Sequence, residues 1–297
     1  MSVHIIHKEY SGLSKKAQSL NYLQGQGLPV PPTLVVPMYT FQDHISLNEL
    51  RDASFYYVRL CFRDHSIKRR AGRIVNIDDI DKYLIDLAEI SGSNEADLLI
   101  QPFIIPLYSG AVVKIGSMVF IEATYGIAPT LFHRGRVSHR AVLAGKELVC
   151  SEVMDQGIAL VWENGSVVKV NELGWNRYNP QTTYIQIAES ITTLDNILLE
   201  WAIIDDTLFF FDHKDIPPSS CFSQLLEKPS VIPRCVTATM KEVEESPLKS
   251  VLFLDYPDLD YLHQARRANY VVIGSGALLS HVSVYSIFEN YKCVFKN

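Results

Sequence analysis

The chain has 297 residues, of which 47% are hydrophobic, so it is long enough for two domains with substantial cores. Its formal net charge is −6, and Lys and Arg are concentrated nowhere beyond Lys68-Arg69-Arg70, which argues against a nucleic-acid-binding protein. The five cysteines form no C-x-x-C pair, the N-terminus lacks a signal-peptide pattern, and polar residues, prolines and glycines interrupt the most apolar region, so we expect a cytoplasmic protein without a membrane partner or structural zinc.

Hydrophobic periodicity and turn residues predict a mixture of helices and strands in the first 216 residues. The predicted helices are residues 15–23, 77–90 and 183–199. The predicted single strands are residues 33–36, 55–60, 97–101, 110–115 and 118–123. Two hairpins complete this region, one over residues 159–170 with a turn at Asn164-Gly165 and one over residues 199–212 with a turn at Asp205-Asp206.

The pattern changes at Pro217-Pro218-Ser219-Ser220, where a polar, proline-bearing stretch begins that lasts to about Pro233. We interpret residues 217–233 as a linker. Beyond it, strands and helices alternate over residues 250–254, 258–268, 270–273, 281–289 and 293–295. The sequence therefore predicts a mixed α+β or α/β protein with a large first domain, 1–216, and a small second domain, 234–297.

One histidine near the C-terminus lies where a predicted loop becomes a helix. The buried strand 270–273 ends at Gly274 and Gly276, and Ser280 can cap the helix that follows. His281 then lies in the first turn, where free N–H groups and the helix dipole favour an anion such as a phosphoryl group. Two interpretations follow from this position: a residue that carries phosphate, or an ordinary polar or capping residue.

Two carboxylates flank the turn of the second predicted hairpin. Glu200 and Asp212 lie on either side of Asp205-Asp206, so we expect them to be cross-strand neighbours. Hard oxygen ligands suit Mg²⁺ that bridges nucleotide phosphates, and Lys214 follows on the same face as Asp212. The alternative interpretation is a solvated strand face with an ordinary salt bridge.

A series of short motifs, each occurring once, is distributed along most of the chain. They are Ser14-Lys15-Lys16-Ala17, Leu28-Pro29-Val30-Pro31-Pro32, Val58-Arg59, Ala71-Gly72-Arg73, Leu99-Ile100-Gln101, Ser109-Gly110, Phe120-Ile121-Glu122-Ala123, Leu199-Glu200-Trp201-Ala202, Phe211-Asp212-His213-Lys214 and Gly276-Ala277-Leu278-Leu279-Ser280-His281. In this order they resemble the phosphoenolpyruvate synthase and pyruvate phosphate dikinase family, which includes rifampin phosphotransferase. The last segment is similar to the family's G-G-x-x-S/T-H.

This resemblance implies an ATP-grasp nucleotide-binding domain, 1–216, with sublobes of about 1–96 and 97–216, and a swivelling phosphohistidine domain, 234–297. It implies an enzyme that binds nucleotide through Lys16, Arg59, Gln101, Glu122 and Lys214, binds Mg²⁺ through Glu200 and Asp212, and transfers phosphate through His281. In the family ATP phosphorylates this histidine, the domain swings, and the group passes to an acceptor, which leaves AMP and phosphate. The acceptor here would be a small molecule or a group on a separate acceptor-binding protein.

Several positions depart from the family pattern. Arg59 is followed by Leu60-Cys61 instead of two serines, Asp212 replaces a glutamine, and Lys214 replaces an arginine. Residues after His281 lack the family's arginine and its G-I-P turn. These changes motivate an alternative function, that of a degenerate, non-catalytic relative that binds nucleotide or regulates through a partner protein.

Overall fold

The computed structural model describes residues 3–5, 13–37, 53–63, 72–91, 96–103, 105–163, 165–171, 181–217, 240–245, 250–289 and 291–295. The basic run at residues 68–70, the turn residue Asn164 and all of the predicted linker except Pro217 lie outside these described residues. Among the described helices, none is both long and apolar enough to cross a membrane.

The chain forms two compact units. The first unit comprises Met1–Ile104 and Phe209–Asp212, and the second comprises Ile105–Leu208 and His213–Asn297. The residues of the predicted small domain thus belong to the same compact unit as residues 105–208. Compact units need not coincide with domains, so the predicted domain boundaries stay a prediction.

The first unit contains a five-stranded sheet and two helices. Its strands are β1 (Val3–Ile5), β2 (Thr33–Pro37), β3 (Phe55–Phe62), β4 (Arg73–Asn76) and β5 (Ala96–Pro102), and its helices are α1 (Lys15–Gly25) and α2 (Ile80–Ser91). The strand order is β1-β2-β5-β3-β4, with a parallel β1–β2 pair and antiparallel pairs elsewhere. Helix α2 buries Ile80, Leu84 and Leu87 against one face of this sheet, as its periodicity predicts.

The second unit contains a six-stranded antiparallel sheet. Its strands are β6 (Tyr108–Ile115), β7 (Met118–Tyr125), β8 (His139–Ala144), β9 (Glu147–Val153), β12 (Ile197–Ile204) and β13 (Thr207–Asp215), in the order β13-β12-β6-β7-β8-β9. Four residues of β13, Phe209–Asp212, are counted with the first unit. The short helix α3 (Pro129–Phe132) follows β7, and strands β10 (Ala159–Glu163) and β11 (Ser166–Val170) form a separate hairpin.

The second predicted hairpin is confirmed, whereas the helix before it is shorter than predicted. Asp205 and Asp206 both have positive φ, 47° and 58°, as a two-residue hairpin turn requires. Helix α4 (Gln181–Ser190) ends nine residues before the predicted end at Leu199. Ile197–Leu199 instead pair with β6, because the apolar run that fits a helical period also fits a buried strand.

The C-terminal module, defined here as the described residues 250–295, is a small β/α element. Its parallel strands are β14 (Val251–Leu254), β15 (Tyr270–Ile273) and β16 (Lys292–Phe295), and its helices are α6 (Leu262–Ala265) and α7 (His281–Phe288). Helix α5 (Met240–Glu244) precedes it. The predicted alternation is confirmed, although the predicted helix 258–268 is a 3-10 turn, Leu259–Tyr261, followed by α6.

The C-terminal module shares one hydrophobic core with the six-stranded sheet. Val113, Phe120 and Val142 of the sheet belong to the same buried cluster as Leu279 and Val282 of the module. Together, the antiparallel sheets and the parallel C-terminal module confirm the predicted mixed α+β class.

Candidate functional site

In the first compact unit, a lysine and an aspartate from distant parts of the chain form an ion pair. Lys16 is the second residue of α1, and its Nζ lies 2.8 Å from Oδ2 of Asp212 on β13. Their side chains are 17% and 22% exposed, so solvent reaches both. The structure therefore brings together a predicted phosphate-binding lysine and a predicted Mg²⁺ ligand.

Two further predicted nucleotide-binding residues lie on the face of the five-stranded sheet opposite α2. Arg59 on β3 pairs with Leu99 on β5, and Gln101 lies two residues further along β5, so Arg59 and Gln101 are diagonal neighbours on one face. The amide of Gln101 donates a 2.8 Å hydrogen bond to the Thr33 hydroxyl. This face carries polar side chains, whereas the opposite face packs against α2 in an apolar core.

A buried aspartate connects this polar face to the start of α1. Asp97 on β5 lies on the same face as Gln101, and its carboxylate accepts the backbone N–H of Ser14, the N-cap residue of α1. Burial raises the pKa of Asp97, although the Ser14 hydrogen bonds and the Arg63 charge act in the opposite direction. Helix α1, which carries Lys16, therefore begins over the face that bears Arg59 and Gln101.

In the second compact unit, a row of charged residues crosses the six-stranded sheet. The strand register pairs Glu200 with Ala111, Ala111 with Glu122, Glu122 with Arg140, and Arg140 with Glu152. Residues paired directly across strands point to the same face. Glu200, Glu122, Arg140 and Glu152 thus share the face on which the C-terminal module packs.

The innermost carboxylate of this row is occupied by protein donors. Glu122 is fully buried, and its oxygens accept N–H groups from Leu278 at 2.9 Å, Leu279 at 2.7 Å and the Arg140 guanidinium at 2.8 Å. Arg140 also donates to the carbonyl of Gly276. These contacts give no support to the predicted nucleotide-binding role of Glu122. No sequence pattern marked the bonds of Glu122 with Leu278 and Leu279, because they join residues more than 150 positions apart.

His281 is the first residue of α7, and Ser280 caps this helix as predicted, since its hydroxyl accepts the N–H of Ser283. The imidazole stacks on Phe132 and on Tyr285, with ring centroids 5.4 Å apart in both pairs. The ring of His133 lies 5.3 Å away at a tilt of 46°. No sequence pattern marked His133.

The aromatic group around His281 includes a cation. Nζ of Lys214 on β13 lies 5.7 Å from the ring centroid of Tyr285, which stacks on His281. The structure therefore brings Lys214, a predicted nucleotide-binding residue, to the same tyrosine as the predicted phosphoryl carrier. Both residues belong to the second compact unit.

The predicted Mg²⁺ ligands lie in different compact units. Glu200 is half-buried on β12 in the second unit, and Asp212 is assigned to the first unit. Within the described part of the chain, no group of three or more His, Cys, Asp or Glu residues is arranged to hold a metal ion. Joint binding of Mg²⁺ by Glu200 and Asp212 stays a prediction.

Comparison with known proteins gives structural matches only. No family model matches the chain, and no curated protein matches it. Solved structures that match include a D-alanine–D-alanine ligase from Helicobacter pylori, 14% identical over 69% of this chain and 54% of that chain, with a TM-score of 0.36. A RimK domain ATP-grasp protein from Sphaerobacter thermophilus is 16% identical over 73% of this chain and 64% of that chain, with a TM-score of 0.36. N5-carboxyaminoimidazole synthetase from Staphylococcus aureus, complexed with ADP, is 11% identical over 69% of this chain and 44% of that chain, with a TM-score of 0.34.

These matches agree with the predicted ATP-grasp fold class and bear on the fold alone. The chain spans less than two thirds of the length of each of these proteins. The predicted membership in the phosphoenolpyruvate synthase and pyruvate phosphate dikinase family is wrong, because the matching structures are ligases and an ATP-grasp domain protein and no model of that family matches.

Proposed function

We propose that the chain binds ATP with Mg²⁺ and transfers a phosphoryl group from it to an acceptor. The observation that carries this proposal is the ion pair between Lys16 and Asp212, which are 17% and 22% exposed and 2.8 Å apart. Each of these groups can exchange its partner for a ligand group whose charge has the same sign as that partner. Lys16 can bind a phosphate oxygen in place of Asp212, and Asp212 can bind a cation in place of Lys16.

Arg59 and Gln101 offer polar groups that could bind other parts of the nucleotide. Arg59 and Gln101 lie on the polar sheet face over which α1 begins, so they offer a guanidinium and an amide on the same side as the start of α1. Asp212 supplies carboxylate oxygens, which are the ligands that Mg²⁺ prefers. Mg²⁺, when bound, would neutralise charge on the phosphates, while Lys16 and Arg59 position them for transfer.

Equilibrium binding tests the proposal. Titration calorimetry with ATP and Mg²⁺ compares the wild type with Lys16→Ala and with Lys15→Ala, a matched control because Lys15 is the exposed neighbour on α1. We expect Lys16→Ala to weaken ATP binding about tenfold or more, since a hydrogen bond to a charged group contributes about 1.5–3 kcal/mol. Lys15→Ala should leave the affinity unchanged. Absence of ATP binding by the wild type at millimolar concentration, or equal loss in both variants, would contradict the proposal.

The nucleotide product identifies the reaction. Transfer of the terminal phosphoryl group yields ADP, whereas a dikinase reaction through His281 yields AMP and an acid-labile phosphate on the protein that His281→Ala removes. We expect ADP when a suitable acceptor is present. Binding of ATP without turnover across a panel of carboxylate, amine and hydroxyl acceptors would favour the alternative function, a nucleotide-binding regulator that acts through a partner.

A further inference from the structure

We propose that the C-terminal module is a fixed wall of the six-stranded sheet and that Glu122 is the positioning residue that holds the His281 segment in place. A swivelling carrier would have to leave the sheet during each cycle. The contacts of the segment between Gly276 and Ser280 instead anchor it to β7 and β8, and these contacts lie within one compact unit.

The first part of the anchor is polar and buried. The Glu122 carboxylate accepts two successive backbone N–H groups, from Leu278 and Leu279, directly before the helix that His281 begins. Arg140 neutralises this carboxylate and donates to the Gly276 carbonyl at the same time. Hydrogen bonds that involve an ionised group are about twice as strong as neutral ones, and burial shields them from competing water. The backbone of this segment is therefore held on both its donor and its acceptor side.

The second part of the anchor is apolar. Ile273, Leu278, Leu279 and Val282 of the module are at most 1% exposed and pack in one cluster with sheet residues such as Phe120. Burial of these apolar side chains stabilises their contact with the sheet. Detachment of the module would break the packing of these side chains against the sheet residues of the cluster, so the apolar contact opposes a swing.

A third group of contacts joins the C-terminal module to the loop that follows α3. The carbonyl of Gly135 accepts the N–H of Ala277 at 2.8 Å, and Nη1 of Arg134 lies 3.0 Å from Asp258 Oδ2. The guanidinium of Arg136 lies over the ring of Tyr256, 3.3 Å from its centroid. Three successive residues of one loop thus contact the module through a backbone hydrogen bond, an ion pair and a cation–π contact.

A fixed module has a consequence for His281. Its imidazole stays between Phe132 and Tyr285, with His133 beside it and Lys214 near Tyr285. Any molecule that reacts with or binds to His281 must therefore come to this aromatic group, since the histidine does not travel. This inference concerns the C-terminal module itself and does not rest on nucleotide binding.

Amide hydrogen exchange tests the inference in the full chain. In the wild type we expect the amides of Leu278 and Leu279 to be protected at least 100-fold relative to an unstructured peptide, with the same protection when ATP and Mg²⁺ are added. Glu122→Gln should lower this protection at least tenfold, because an amide side chain offers one acceptor oxygen and no charge to Arg140. Glu152→Gln is the matched control, since Glu152 faces Arg140 in the same row at 3.7 Å and is not bonded to this segment in the described structure. Its protection should equal that of the wild type.

A ring-current signature separates positioning from general stability. In the wild type the His281 ring protons should resonate upfield of an exposed histidine, because two aromatic rings stack on the imidazole. Glu122→Gln should move them downfield while the α1 resonances of the first unit stay in place, and Glu152→Gln should move neither. Unprotected Leu278 and Leu279 amides in the wild type, loss of their protection on addition of ATP, or unchanged His281 shifts in Glu122→Gln would each overturn the proposal.

Discussion

The two compact units each contain a cation–carboxylate pair, and the two pairs differ in what surrounds them. Lys16 and Asp212 in the first unit are partly exposed. Arg140 and Glu122 in the second unit are 8% and 0% exposed and also bond to the backbone of a distant segment. The first pair is the proposed ligand site, whereas the second is held within the fold by its contacts with the backbone.

The difference follows from the cost of removing charge from water. A partly exposed pair contributes about 0–1 kcal/mol to stability, because solvent competes for both groups. A buried pair must recover several kcal/mol of desolvation per ion through extra hydrogen bonds. Glu122 obtains these bonds from Leu278 and Leu279, which explains why the same carboxylate also positions the C-terminal module.

Removal of the buried carboxylate should give the largest change in stability. Glu122→Ala leaves the Arg140 charge buried without its main partner, so we expect the free energy of unfolding to fall by about 3–5 kcal/mol. Urea denaturation followed by circular dichroism measures this loss. Glu152→Ala, which removes a 35% exposed carboxylate 3.7 Å from Arg140, should cost no more than about 1 kcal/mol. Equal losses in both variants would contradict the distinction between the two pairs.

The close approach of Gly276 to the Gly135 carbonyl predicts the next largest loss of stability. Gly276 has φ = +107°, and a Cβ at this position would clash with the Gly135 carbonyl oxygen. Gly276→Ala should therefore lower the free energy of unfolding by about 2–4 kcal/mol. Gly145→Ala is the control, because Gly145 also has a positive φ, +61°, but a Cβ added there would meet no atom within 4 Å outside its chain neighbours. It should cost about 1 kcal/mol in a thermal or urea melt; a smaller loss for Gly276→Ala would show that the module has room to move.

A buried histidine beside Arg140 gives a pH-dependent prediction. Burial lowers the pKa of His139 below its usual value near 6.5. At pH values between the two pKa values the unfolded chain binds a proton that the folded chain does not, so stability should fall as the pH decreases through this window. The slope is at most about 1.4 kcal/mol per pH unit. His139→Gln should remove this slope in urea melts at pH 5–7, and substitution of the exposed His263 should leave it in place.

Loss of the exposed pair should have the smallest effect on stability. Lys16→Ala should lower the free energy of unfolding by no more than about 1 kcal/mol, because water can hydrate the partly exposed Asp212 carboxylate once the lysine is gone. Urea denaturation without nucleotide measures this change. A loss of about 3 kcal/mol or more, which is the size expected for a buried pair, would mean that Lys16 and Asp212 form a structural contact instead of a ligand site.

Local sequence signals predicted the local parts of this fold. Alternating and β-branched runs indicated strands β5, β6 and β7, the Asp205-Asp206 turn indicated its hairpin, and Ser280 indicated the start of α7. Strands β8 and β9 were missed, since residues 139–153 carry no strong turn residue apart from Gly145 and the outer strand β9 is half exposed. Helix α4 was extended into β12 because an apolar run does not distinguish a buried strand from a helix.

The candidate site was only partly predictable for the same reason. Lys16 and Asp212 were each proposed from motifs, and their contact across 196 positions needed the fold. The partners of Glu122 were not predictable, because a carboxylate in a strand has the same local sequence whether it binds a ligand or a distant backbone. Motif order suggested the ATP-grasp fold class and misassigned the family, since single matches of a few residues carry little information about a family.

Ligand-induced stabilisation tests most directly whether the exposed pair binds ligand while the buried pair fixes structure. ATP with Mg²⁺, at an ATP concentration of about 100 times the dissociation constant, should stabilise the wild type by about 2.7 kcal/mol, and thermal melts measure this increment. Glu122→Gln should start from a lower stability and keep this increment. Lys16→Ala should start within about 1 kcal/mol of the wild type and lose about half of the increment or more at the same ATP concentration. An increment that survives in Lys16→Ala and disappears in Glu122→Gln would contradict the account.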